Sequence, residues 1–345
     1  MIDRSKLKAI GGSDIAAILG LSKWKSAHSL YLHLVGELPP QPDNPAMERG
    51  RKLESAVAEL FAANHEEFLV ENIVAHPDVC YDERDLFKEH PFIPDKEYPF
   101  LMGSPDRILW LSENLHIGED GEYEEPCVSG LEIKTADVSQ MPFWGEEDTD
   151  QIPQEYLLQT QWYAGLCGVP DWYIAVGFVM PNSKKIDRYR EYKITFDGEL
   201  YNHMRQKAVE FWTEHVEKRI PPPITEADSE TIRYLKTKYP SHTPGKFSYS
   251  DDAIDSLASE YLQLTADNKM REERADAMKL QLIAAIGENE GIVTALGKFT
   301  YKQCKPSQKI DWEGAARSLG VSSETIANFT TERPGYRTFL PPKGK

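Results

Sequence analysis

CVSGLEIKT, residues 127–135, reads as a short β-strand in which Glu132 and Lys134 share one face and Ile133 turns to the other. Side chains alternate along an extended chain, so an E-x-K spacing sets a carboxylate beside an ammonium at one edge of a sheet. Taken alone, that pattern reads first as an ion pair on a solvated face. The text around it changes the reading. Some twenty residues earlier, PFLMGSPDRILWL (99–111) places Asp106 at a turn entering an apolar strand, where a carboxylate is normally excluded. A carboxylate beside an ammonium on one edge can hold a hard divalent cation and orient or deprotonate a water, which is the chemistry of phosphodiester hydrolysis. The carbonyl of Ile133 offers a further oxygen ligand.

Outward from these strands, the pattern alternates helix and sheet. Ser13 stands where an N-cap is expected, ahead of Asp14 and the apolar run to Leu21, and a second helix is expected from Ser26 to Val35, stopped by Gly36. Pro45 opens a third helix, AMERGRKLESAVAELFAANH, whose Leu53, Ala56, Val57, Leu60 and Phe61 follow helical spacing. FLVENIVA, the Asp106 segment and the Glu132 segment read as strands, and residues 112–125 as an acidic hairpin excursion. QEYLLQTQWYAGLCG is helical again, WYIAVGFVM and RYREYKITF are paired strands, and DGELYNHMRQKAVEFWTEHVEKR closes the series as a helix. The expectation is an α/β fold with a mixed central sheet flanked by helices. Pro221-Pro222-Pro223 marks a boundary, giving domains 1–222 and 223–345. The second holds a long charged helix over 251–289, a hairpin in GIVTALGKFTYKQ with Gly297 in its turn, and a short helix from Asp311 to Leu319.

The net charge of −17 counts against a nucleic-acid partner, but its distribution weakens that objection. Residues 113–125 contain no Lys or Arg, whereas the first fifty residues lean basic and the last fifty more so. Bound divalent cations would offset carboxylates at the site itself. Cys80, Cys127, Cys167 and Cys304 are scattered, which fits reduced thiols in a cytoplasm and no zinc or iron–sulfur cluster. No His pair has zinc spacing, no phosphate-cradling G-x-x-x-x-G-K-[ST] is present, and neither a membrane span nor a secretory signal is expected. Met141, Phe143 and Trp144 form an aromatic loop that reads first as a core anchor and second as a base-stacking surface.

Five blocks in order, IGGSDIAAILGLSKWKS, ERGRKLESAVAELF, MGSPDRIL, GLEIKT and EYLLQTQWYAGLCG before WYIAV, resemble the phage lambda-type exonuclease and YqaJ viral recombinase family of PD-(D/E)XK nucleases. They span about residues 8 to 178. The resemblance implies a restriction-endonuclease-like core, with Asp106, Glu132 and Glu54 as metal ligands and Lys134 positioning or activating water. It makes Gln159 the active-site glutamine, against the alternative of a core-capping amide, and leaves Gln161 a bystander. Glu54 reads otherwise as an exposed helix residue paired with Arg51. Ser13 resembles the serine that contacts the phosphate of a DNA end, and a helix N-terminus suits that anion. The family's basic residue before this motif has three candidates here, Arg4, Lys6 and Lys8, among which spacing does not choose. The implied activity is degradation of one strand of linear double-stranded DNA, 5′ to 3′, with Mg2+, replaceable by Mn2+, at two sites. The implied partners are DNA ends, a single-strand annealing protein and further copies of the chain in a trimeric ring, in the cytoplasm of a bacterial or phage-infected cell. A structure-specific endonuclease and a catalytically inert DNA-end-binding module are the competing readings.

Overall fold

The computed structural model describes residues 8–38, 44–73, 91–114, 127–147, 149–181, 183, 185–304, 306, 311–329, 331, 339 and 342. Five strands form its main sheet: β1 (Phe68–Asn72), β4 (Arg107–Leu111), β5 (Ser129–Asp137), β6 (Asp171–Val179) and β7 (Ile186–Thr195), adjacent in that order. A small pair, β2 (Ile93–Pro94) and β3 (Met102–Gly103), stands apart. Neighbours in the main sheet are antiparallel except β5 and β6, which run parallel. A parallel pair needs a crossover, and helix α4 (Gln154–Cys167) supplies it. Gly168 ends that helix at φ +70°, a left-handed position that glycine takes without a Cβ penalty.

Helices cover both faces. Helix α3 (Pro45–Asn64) starts on an Asn44 cap with Pro45 in its first turn, and packs Val57, Ala58 and Phe61 onto Leu109, Leu131 and Ile133. On the opposite face, α1 (Gly12–Ile18), α2 (Ala27–Leu34), α4 and α5 (Gly198–Phe211) join a cluster holding Trp110, Trp162 and Trp172. Burial of these large apolar side chains is the main stabilising force. The α/β fold expected from the sequence, a mixed central sheet flanked by helices, is the fold observed, with its strands and helices within a few residues of the expected bounds.

One local expectation, the Ser13 cap, is corrected. Helix α1 is capped by Gly11, with Ser13 exposed inside its first turn. The Gly11 N–H donates to the Asp14 carboxylate at 3.0 Å, which starts the helix two residues early. The aromatic loop is a 3-10 segment, Val138–Phe143, whose following Trp144 is buried against Tyr156, Phe178 and Tyr192. Only Ser112–Asn114 of the acidic excursion falls among the described residues, and it is a 3-10 turn.

The chain divides into two compact units, Met1–Lys238 and Tyr239–Lys345, so the three prolines expected to mark the boundary lie inside the first. Helix α6 (Ser229–Lys238) lies beyond them and is held by Asp228 to the Ser26 hydroxyl, by Glu230 to His33, and by Tyr234 to Glu37. A proline run stops a helix without ending the packing. The second unit contains α7 (Asp252–Ile286), a hairpin of β8 (Gly291–Thr294) and β9 (Gly297–Thr300), then α8 (Trp312–Ser318) and α9 (Ser323–Ala327). Gly297 follows the hairpin turn at φ +124°. Among the described residues, no helix is long and apolar enough to cross a membrane.

Candidate active site

Register explains why the acidic residues meet. Arg107 pairs with Leu131 across β4 and β5, which brings Asp106, one residue before the strand, alongside Glu132. The Ile133 N–H donates to Asp106 Oδ2 at 2.7 Å, fixing that carboxylate at the strand edge. Glu132 and Lys134 share a face, as their alternation requires, and Lys134 Nζ donates to Glu132 Oε1 at 2.5 Å. Gln159 reaches the same point from α4. Its amide donates to Glu132 Oε1 at 2.8 Å and its oxygen accepts from Lys134 Nζ at 3.1 Å. The amide also approaches the hydroxyl of Tyr163, one turn on, at 2.9 Å. The Lys134 ammonium sits 5.0 Å from the centre of the Tyr156 ring.

Glu132 is buried, and its second oxygen, Oε2, has no hydrogen-bond partner. An ionised oxygen buried without a donor costs free energy unless a cation meets it. Burial, then the charge of Glu132, pushes the Asp106 carboxyl well above the ordinary carboxylate range. Burial pushes Glu132 up too, against the opposing pull of Lys134. Burial works to lower Lys134, but Glu132 and Asp106 outweigh it and hold the ammonium above its ordinary value. Lys134 is therefore a protonated donor in this arrangement, suited to holding a water or a phosphate oxygen rather than to removing a proton. Asp106 and Glu132 supply the hard oxygen donors that Mg2+ prefers, and the unmatched Oε2 fits such an ion.

Glu54 stands apart from the pair. Its Oε1 accepts from Arg107 Nη1 at 2.9 Å, and the same nitrogen donates to the Asp106 carbonyl at 2.6 Å. Arg51, the expected partner one turn back, is not the residue that holds it. Glu54 is near enough to raise both Asp106 and Glu132. Yet among the described residues no three His, Cys, Asp or Glu side chains stand close enough to hold a metal ion. The expected convergence of three carboxylates is thus two carboxylates with a third drawn onto an arginine.

The remaining predicted residues separate cleanly. Gln161, two residues from Gln159, accepts from the Asp197 N–H and donates to the Thr195 carbonyl, both structural bonds. Lys8 is exposed, and Arg4 and Lys6 lie outside the described residues. Three members of the array, Arg107, Tyr156 and Tyr163, were not selected from the sequence. Tyr163 stands four residues after Gln159 on one helix face, a spacing that was legible; Arg107 follows Asp106 directly, but its partner is distant in sequence.

The model of the YqaJ-like viral recombinase domain matches residues 3–170. Protein YqaJ of Bacillus subtilis (strain 168) is 28% identical over 275 residues, covering 80% of this chain and 70% of its own length. Among solved structures, the chain is similar to the alkaline exonuclease LHK-Exo from Laribacter hongkongensis at a TM-score of 0.43 and 17% identity, covering 68% of this chain and 95% of that one. It is also similar to a phage related exonuclease from Haemophilus somnus 129PT at a TM-score of 0.40 and 13% identity, covering 61% and 96% respectively.

Proposed function

We propose, from the match of residues 3–170 to the YqaJ-like viral recombinase domain, that this protein is a divalent-metal-dependent deoxyribonuclease that degrades one strand of linear duplex DNA from its end, 5′ to 3′. The observation that carries the reading is Glu132, buried with one oxygen shared by Lys134 and Gln159 and the other unmatched. A structural ion pair has no use for a buried acceptor without a donor.

Asp106 and Glu132 would hold Mg2+, or Mn2+ in its place, with the Ile133 carbonyl as a further oxygen and Glu54 at a second ion. Such an ion, when bound, would supply a nucleophilic water at neutral pH and charge stabilisation at the phosphorus. Gln159 keeps Glu132 and Lys134 in register by bonding both. Lys134, kept protonated by its two carboxylates, donates to the attacking water or to a phosphate oxygen as charge grows there. Tyr163 and Tyr156 hold the glutamine and the ammonium in place. Ser13 in the first turn of α1, with Arg4, Lys6 and Lys8 before it, would meet the 5′-phosphate of the DNA end.

The polarity, the trimeric ring around DNA, the role in phage-type recombination beside a single-strand annealing protein and the cytoplasmic setting follow the family resemblance. An assay on end-labelled linear duplex with Mg2+ or EDTA tests the reading. Mononucleotides released from 5′ ends in Mg2+ alone, with covalently closed circles left intact, are expected. Nicked circles would replace it with an endonuclease, and DNA binding without hydrolysis in any divalent ion would replace it with an inert end-binding module.

A further inference from the structure

Arg107 is the one cation of the array that the proposed chemistry does not use. Its side chain is 16% exposed and lies at the start of β4, next to Asp106. It donates from one nitrogen both to Glu54 and to the Asp106 carbonyl, so the backbone of one acidic residue aims it at the carboxylate of another. Taken as ionised, Glu54, Asp106 and Glu132 face two cations, Arg107 and Lys134. Lys134 is committed to Glu132. Arg107 is committed to Glu54, whose side chain is still 36% exposed and open to an incoming ion.

We infer that Arg107 is a built-in counter-cation, which neutralises Glu54 before metal binds and must release it when the second of the divalent cations proposed above binds at Glu54, beside the Asp106–Glu132 pair. The inference rests on the metal-dependent reading above and adds to it a residue that sets how tightly the ion is held. Without Arg107, three carboxylates would face one ammonium, and the empty site would repel itself open. With it, the acidic site stays closed at the cost of metal affinity, because an ion must break the Glu54 bond before using that carboxylate. The freed guanidinium, still anchored beside Asp106, faces the same cluster and is chemically suited to a phosphate oxygen.

Competition of this kind has a signature that a purely structural arginine lacks. Titration of Mn2+ into the full chain, with free ion read by its paramagnetic resonance signal, needs no turnover. Arg107→Gln is expected to bind Mn2+ about fivefold more tightly than the wild type, the size of one partly exposed ion pair that no longer has to be broken. The same variant, free of metal, is expected to melt lower and to gain more from added Mg2+. Glu54→Gln removes the partner, so in that background Arg107→Gln is expected to change Mn2+ affinity hardly at all. If Arg107→Gln tightens binding equally in both backgrounds, the arginine acts through space and not by holding Glu54, and the inference fails. Unchanged or weaker binding by Arg107→Gln in the wild-type background overturns it as well. Should the wild type itself bind no divalent ion, the metal-dependent reading falls and takes this one with it; the two failures are therefore told apart by the wild-type curve.

Discussion

Lys134 and its partners show what a single position in this site has to do. The ammonium satisfies Glu132 and Gln159 at once, and burial leaves few alternatives to either. Lys134→Ala is expected to abolish cleavage while leaving affinity for duplex ends largely intact, since one lysine among many contributes little to the phosphate contacts. It also strands Glu132 as a buried charge, which costs on the order of 3 kcal/mol. Melting without metal would show that loss, and cleavage would be compared well below both transitions; normal turnover by the variant would remove Lys134 from its role. Glu132→Ala is expected to lose the stabilisation that Mg2+ gives the wild type, and an unchanged melting shift would count against it as a ligand. Much of this constellation was readable in the sequence, because a period of two places Glu132 and Lys134 together on any strand. What was not readable is who pairs with whom. Glu54 chooses Arg107, 53 positions away, over its helical neighbour Arg51, a choice made by how α3 settles on the sheet edge.

At the level of elements, the strands and helices of the first unit were legible because apolar periodicity and punctuation by Gly and Pro coincide there. The misplaced α1 cap has a local cause, the reach of Asp14 back to Gly11, which a serine in the first turn masks. Tight packing between elements was not legible at all. A Cβ on Gly130 would stand 2.2 Å from the Trp172 ring, so β5 can lie against β6 only with glycine there. Gly130→Ala is expected to cost about 1–3 kcal/mol, read as a lower denaturant midpoint, and to loosen the site through Glu132 two residues on. The far end of α3 offers a pH-dependent tie. His65 stacks on Phe61 at 4.3 Å and meets Glu67 and Glu191, both at 2.9 Å, linking the helix terminus to β7. Burial works against its charged form, but the hydrogen bonds to the two glutamates hold its pKa above the ordinary 6.5. A raised folded-state pKa means that the charged histidine stabilises the fold fully below about pH 6.5, and that this stability is lost as pH rises through the folded value. His65→Phe keeps a ring against Phe61, so its melting deficit against the wild type is expected to be larger at pH 6 than at pH 9. A deficit that is flat with pH would mean the histidine acts only by stacking.

Across the whole molecule, the boundary near the prolines is the informative feature. Three prolines in a row are the strongest break in the chain, and a break in local structure is not by itself the end of a packed unit. The first unit instead continues to Lys238 because α6 carries side chains that complete buried polar groups of α2. Asp228 accepts from the hydroxyl of Ser26, the cap of α2, and Glu230 meets His33 near that helix's other end. The Nδ1 of His28 meets the Pro222 carbonyl at 2.7 Å, so even the proline segment is tied down. Such long-range pairs leave no periodic trace in a sequence. They make a direct comparison possible between chains ending at 222 and at 238. The longer piece is expected to melt as one cooperative unit. The shorter one leaves Ser26 and His33 without Asp228 and Glu230 and forfeits the burial of Thr231 and Tyr234, a loss of roughly 2–3 kcal/mol that lowers its melting temperature by about 5 °C or more. Equal melting temperatures would mean that α6 rides on the first unit without supporting it, and that the prolines divide the chain after all.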